Sequence, residues 1–173
     1  MAMGKLAGVR VLEIPKFRAI SSGIDTFENI IGKGDFINWL DAHKGICKTS
    51  VYGHGYDFMW HIDNKMEKTI WIWAIEDWVT EADTAPYEII EFEGGTYVVA
   101  TADADDQADT MEVIRSMSKW IENSGVYETY TRNGHDGAGH MIGGIELSGV
   151  LNEILHIDQY ELFMLVKKRN TNM

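Results

Sequence analysis

The chain has 173 residues, 45% hydrophobic and 24% charged, which suits one globular domain with a full core and argues against disorder. Fifteen basic residues against 27 acidic ones leave a net charge of −12, so direct contact with DNA or RNA is not expected. One cysteine, Cys47, rules out an intrachain disulfide, no apolar run nears the ~18 residues of a membrane helix, and the opening residues lack a signal-peptide pattern; a cytoplasmic chain is expected. The basic clusters, Lys65 with Lys68 and Lys167-Lys168-Arg169, are too short to reverse the charge argument.

The first strand is Val9 to Ile14, resumed at Phe17 to Ile20 after Pro15. Interruption near the middle of a long strand suits a bend or bulge. Asp25 followed by Glu28 resembles a capping box, and Phe27, Ile30, Ile31, Ile37 and Leu40 then form a helical stripe loosened by Gly32 and Gly34. Strands Ser50–Ile62 and Thr69–Val79 follow, joined by the polar turn Asp63-Asn64-Lys65. The same order then recurs. Tyr87 to Phe92 and Thr96 to Ala100 flank Gly94-Gly95, and Ile89-Ile90-Glu91-Phe92 aligns with Val11-Leu12-Glu13-Ile14. A helix from about Asp106 to Asn123 carries Ala108, Met111, Ile114, Met117 and Ile121 at helical spacing. Asp103, Asp105, Asp106 and Asp109 crowd its start, where the helix dipole favours acids. Gly139–Ser148 and Gln159–Lys168 are the closing strands, with Val126–Arg132 extending or preceding them.

Strand-helix-strand-strand, twice, predicts an α+β fold of duplicated β-α-β-β units with pseudo-two-fold symmetry. Its antiparallel sheet carries two helices on one face. A single domain over 1–173 is expected, with halves at about 5–80 and 86–168.

A sheet with helices on one face should be polar on the other unless something covers it. The first hairpin breaks that rule. Thr69–Val79 sets Ile70, Ile72 and Ala74 against Trp71, Trp73 and Ile75. Ser50–Ile62 places Tyr52, His54, Tyr56, Phe58 and Trp60 on one side. These rings either fill an interface between half-sheets or line a cleft for a small molecule. Glu146, in the apolar run Ile142-Gly-Gly-Ile-Glu-Leu147, is either on the solvent face or held inside. Held inside, it anchors a cation or serves as a general acid or base.

The opening Val9-Arg-Val-Leu-Glu-Ile-Pro-Lys-Phe-Arg-Ala19, the central Tyr87-Glu-Ile-Ile-Glu-Phe-Glu-Gly-Gly-Thr-Tyr-Val-Val99, Ile145-Glu146-Leu147 and Tyr160 to Lys167 carry a family resemblance. Together they resemble the GyrI-like family, which also supplies the effector-binding domain of AraC-type and MerR-type multidrug regulators. The resemblance implies a ligand at the junction of the halves, with Glu146 in the pocket among aromatics and Tyr97 beside it or supporting its strand. It also implies one of three activities. The first is binding or sequestering a small hydrophobic or cationic molecule. The second is hydrolysis of strained electrophiles with Glu146 as acid or base, and the third is inhibition of a protein partner. The final strand lacks the proline common in the family. No helix-turn-helix precedes Val9, so a stand-alone ligand domain is expected.

The candidate ligand-binding residues are therefore Glu146, Tyr52, Tyr56, Trp71, Trp73 and Tyr97. No cofactor, nucleic acid or membrane contact is expected. His54 and His61 fall on opposite strand faces, and His135, Asp136 and His140 sit in a glycine-rich turn, so no metal site is assigned. Cys47 lacks a clear histidine partner nearby, so a thiol nucleophile is weakly supported.

Overall fold

The computed structural model describes residues 8–32, 35–48, 57–62, 67–132, 141–144 and 159–170. Glu146, Tyr52, Tyr56 and the Asp63-Asn64-Lys65 turn lie outside the described residues. The strands are β1 (Arg10–Ile14), β2 (Phe17–Ser21), β3 (Asp57–His61), β4 (Thr69–Ala74), β5 (Glu88–Phe92), β6 (Gly95–Asp103), β7 (Tyr127–Thr129), β8 (Met141–Gly144) and β9 (Gln159–Lys168). The helices are α1 (Asp35–Ala42), α2 (Glu81–Thr84) and α3 (Gln107–Asn123).

All pairings are antiparallel, in the order β1-β6-β9-β8-β3-β4-β2-β5, with β7 on β9. In each half the inner strand pairs with the last strand of that half: β2 with β4, and β6 with β9. The last strand pairs in turn with the one before it, β4 with β3 and β9 with β8. Among the described strands the halves pair in two places, where β3 touches β8 and where the two interrupted strands cross-pair. This is the duplicated α+β arrangement expected from the order of elements.

The cross-pairing explains both interruptions. Arg10 lies opposite Val99 and Ile14 opposite Gly95; beyond the break, Phe17 lies opposite Phe92 and Ser21 opposite Glu88. The register passes through without slipping, so Pro15-Lys16 and Glu93-Gly94 form one shared kink in a two-stranded ribbon. Gly94 has φ of +71°, and a Cβ there would stand 2.2 Å from the Ile14 carbonyl oxygen and 2.6 Å from the Pro15 carbonyl carbon. Only glycine allows so close an approach at that backbone angle.

Because β1 runs into β2 and β5 into β6, this ribbon links the two ends of the sheet. The sheet also curls. A flat sheet would set β3 and β5, three strand spacings apart, at about 14 Å. Yet the Phe58 and Phe92 rings stack at 5.6 Å and 9°.

Strand alternation divides the core into two faces. Val98, Ala100 and Ala102 of β6, with Leu162, Met164 and Val166 of β9, pack under α3. Ile20, Trp71 and Ile75 pack under α1 with Phe36 and Leu40. The opposite face carries Phe17, Phe58, Trp60, Ile72, Phe92, Tyr97, Val99 and Phe163.

Both helices differ in detail from expectation. The first is split into a π-helical turn, Glu28–Gly32, followed by α1. Two glycines within the predicted stripe weaken a continuous α-helix. Asp25 bridges to Thr69, while Thr26 Oγ1 accepts from the Asn29 amide, so Thr26 takes the capping role. Phe27 is exposed. In α3, Asp106 Oδ1 accepts from the Ala108 and Asp109 amides at 2.8 and 3.2 Å, which fixes the start. Its buried stripe is Thr110, Val113, Met117 and Ile121, rotated from the expected one, and Met111 is 44% exposed. Thr110 joins the core because its hydroxyl is bonded to the Tyr160 hydroxyl. Val79 lies beyond β4, in a turn closed by its amide on the Glu76 carbonyl.

Candidate functional site

The face turned away from α1 and α3 gathers six rings of the described residues into one buried cluster. Phe17 stacks on Phe92 at 4.8 Å and lies 6.0 Å from Phe58. Phe163 meets Phe58 edge-on at 5.2 Å and Tyr97 at 6.3 Å. Trp60 tilts against Phe92 at 6.5 Å. All six side chains are buried. Rings at these separations contribute about 0.5–1.5 kcal/mol per pair beyond area burial. They are also the chemistry that stacks on a flat or charged apolar molecule.

Arg132 supplies the polar end of this face. Its Nη2 donates to Tyr97 Oη at 2.7 Å, and its Nη1 donates to the Gly94 carbonyl at 2.6 Å and to Glu93 Oε2 at 3.3 Å. The guanidinium carbon lies 5.9 Å from the Phe92 ring centroid. The Arg132 side chain is only 12% exposed, whereas Glu93 is 63% exposed. Arg132 Nε is buried with no hydrogen-bond partner among the described residues. Farther along β9, two residues from Phe163, buried Glu161 pairs with Arg10.

Three of the six sequence-derived ligand residues are described, and the fold does not bring them together. Tyr97 lies on the ring-rich face, fully buried, with its hydroxyl held by Arg132. Trp71 and Trp73 lie on the face under α1, 6.3 Å apart. Trp71 Nε1 donates to Asp57 Oδ2 at 3.2 Å, and the Phe36 ring of α1 sits 5.8 Å away. A shallow hollow of about 330 Å³ near α2, lined by Glu81, Pro86, Tyr87 and Glu88, belongs to that side too.

Sequence reasoning missed Arg132, Phe92, Phe163 and Glu161. Glu161 carries the signal that drew attention to Glu146, a carboxylate in an apolar strand. Arg132 gave none, because it stands in a polar stretch and acts through contacts distant in sequence.

Cys47, half-buried and bridged to Ile75, has its thiol pushed up to about 11, mainly by burial and partly offset by Lys44. Such a thiol is a poor nucleophile at neutral pH. Among the described residues no helix is long and apolar enough to cross a membrane.

Neither a protein-family model nor a curated protein matches the sequence. Solved structures do. The EcmrR C-terminal domain is 17% identical with a TM-score of 0.65, covering 95% of this chain and 100% of that one. SAV2435 bound to tetraphenylphosphonium is 12% identical with a TM-score of 0.60, covering 92% and 94%. A hydrolase from Listeria innocua is 13% identical with a TM-score of 0.63, covering 92% and 91%. At these identities the likeness shows the fold alone, the same duplicated α+β arrangement.

Proposed function

We propose that this chain binds a hydrophobic small molecule against the ring-rich face, as a ligand-binding or sequestering domain. The observation that carries the reading is the gathering of Phe17, Phe58, Trp60, Phe92, Tyr97 and Phe163 on the one sheet face that neither α1 nor α3 covers. A bound molecule would be desolvated on most sides and stacked among rings. The complex of a similarly folded protein with a lipophilic cation supports the same chemical class. Within this reading Glu146 is the proposed anchor for a cationic group, with Tyr52 and Tyr56 as further wall residues. Trp71 and Trp73 would be reached only beneath α1.

Calorimetric titration with tetraphenylphosphonium tests the proposal. Phe163→Leu is expected to weaken binding about threefold to tenfold by removing one stacking ring, and Trp73→Phe to leave it unchanged. The reading fails if no lipophilic ion or dye binds below about 1 mM. It fails equally if Phe163→Leu has no effect. Glu146→Gln separates the two chemistries of the pocket. Weaker binding of the cation with no turnover supports anchoring, while lost product formation at unchanged affinity supports hydrolysis of a strained electrophile.

A further inference from the structure

Building on that reading, we propose that Arg132 makes the Tyr97 end of the ring-rich face selective for neutral or anionic hydrogen-bond acceptors and closes it to cationic centres. Three observations converge. The guanidinium sits at the edge of the ring cluster, 5.9 Å from the centre of Phe92 and 2.7 Å from the Tyr97 hydroxyl. It is largely desolvated, while the carboxylate that meets it, Glu93, is mostly in water and therefore neutralises it poorly. Its Nε–H is a buried donor with no acceptor among the described residues. A buried donor left unmatched is costly, and an acceptor group or an ordered water removes that cost.

A guanidinium offers N–H donors and no acceptor, so the Tyr97 oxygen accepts from Arg132 and its own proton points elsewhere. This end of the face thus presents the positive charge and buried Nε–H donor of Arg132. A cation bound against this end of the ring cluster meets repulsion, and an anion in the same place meets attraction. At about 10 Å and an effective dielectric of about 20, the effect on either ion is roughly 15-fold in affinity.

Tetraphenylphosphonium and tetraphenylborate test this directly, being nearly the same shape with opposite charge. Both are titrated by calorimetry into the whole chain. Arg132→Gln is expected to tighten the phosphonium and weaken the borate, moving their affinity ratio by about two orders of magnitude. Arg132→Lys, which keeps the charge, should hold the ratio within about threefold of wild type. Should Arg132→Gln fail to fold, as judged by near-ultraviolet circular dichroism, Glu93→Gln serves instead. That residue is exposed, and losing its charge should move the ratio at least about threefold toward the borate.

A ratio for Arg132→Gln within tenfold of wild type overturns the charge-selective role, as does an Arg132→Lys that behaves like Arg132→Gln or a Glu93→Gln shift toward the phosphonium. Binding of both ions with an unchanged ratio refutes the role of Arg132 and leaves the binding reading standing. Failure of the wild type to bind either ion, or any flat aromatic dye, overturns both.

Discussion

Gly94→Ala is the sharpest test of the shared kink. The added methyl would sit 2.2 Å from the Ile14 carbonyl oxygen, 2.6 Å from the Pro15 carbonyl carbon and 2.8 Å from the Lys16 nitrogen. These are backbone atoms of the opposite strand, so no rotamer change relieves the overlap. The strands must separate by about 1 Å to reach normal contact, at a place where register is carried across the break. Two costs add: about 1 kcal/mol for an alanine at positive φ, and about 2–3 kcal/mol for the forced displacement. Gly125 separates them, since it has φ of +67° and nothing within 4 Å of an added Cβ. Gly125→Ala should therefore cost about 1 kcal/mol, and Gly94→Ala about 3–4 kcal/mol. For a chain of this size the second corresponds to a fall in Tm of roughly 6–16 °C. Urea unfolding of both variants, with equal m values, measures the difference. Equal losses for the two glycines would refute the steric account of the kink.

Other expectations follow from single sites. Asp106→Ala removes the side chain that accepts from two amides at the start of α3 and should cost about 1 kcal/mol in urea unfolding, with Asp106→Asn near wild type. Phe92→Ala leaves a void among Phe17, Phe58 and Trp60 and should cost about 3–5 kcal/mol by the same measurement. Burial disfavours the Cys47 thiolate, so iodoacetamide should react slowly at pH 7–8 and faster as pH rises toward a midpoint near 11. A midpoint at the ordinary thiol value would show that Cys47 is solvated in the folded chain.

Local pattern was the most legible part of the fold. β9 spans Gln159–Lys168 as expected from the sequence, and α3 begins just after Asp106, which caps it. The stripe of α3 was harder, because Met117 and Ile121 belong to two overlapping apolar rows. One continues through Met111 and the other through Val113. What decides between them is Thr110, whose polarity hides a core role until Tyr160 is seen to bond its hydroxyl. The breaks at Pro15 and Gly94 were visible one at a time. That they face each other depends on a register between residues far apart in sequence, which no local window contains. The candidate site divides the same way. Tyr97 was singled out only by the family resemblance of its Gly-Gly-Thr-Tyr segment. Which tryptophans lie under α1 depends on the side that the helix covers. Arg132 becomes significant only when the ribbon brings Gly94 and Tyr97 beside it.

The ribbon also constrains when the chain can fold. Among the described strands β1 pairs with β6 alone, and the ribbon partner of β2 is β5. During synthesis the first half can close its own β2-β4-β3 ladder, but β1 has nothing to pair with until Gly95 to Val99 have been made. The opening strand therefore waits, unpaired, for the middle of the chain. Contacts of such long sequence separation form slowly and leave apolar edges exposed in the meantime. Leu12 and Ile14, which end up against the aromatic interior, spend that interval uncovered. Slow refolding and aggregation of fragments that stop short of β6 are what this strand exchange implies for anyone who truncates the protein.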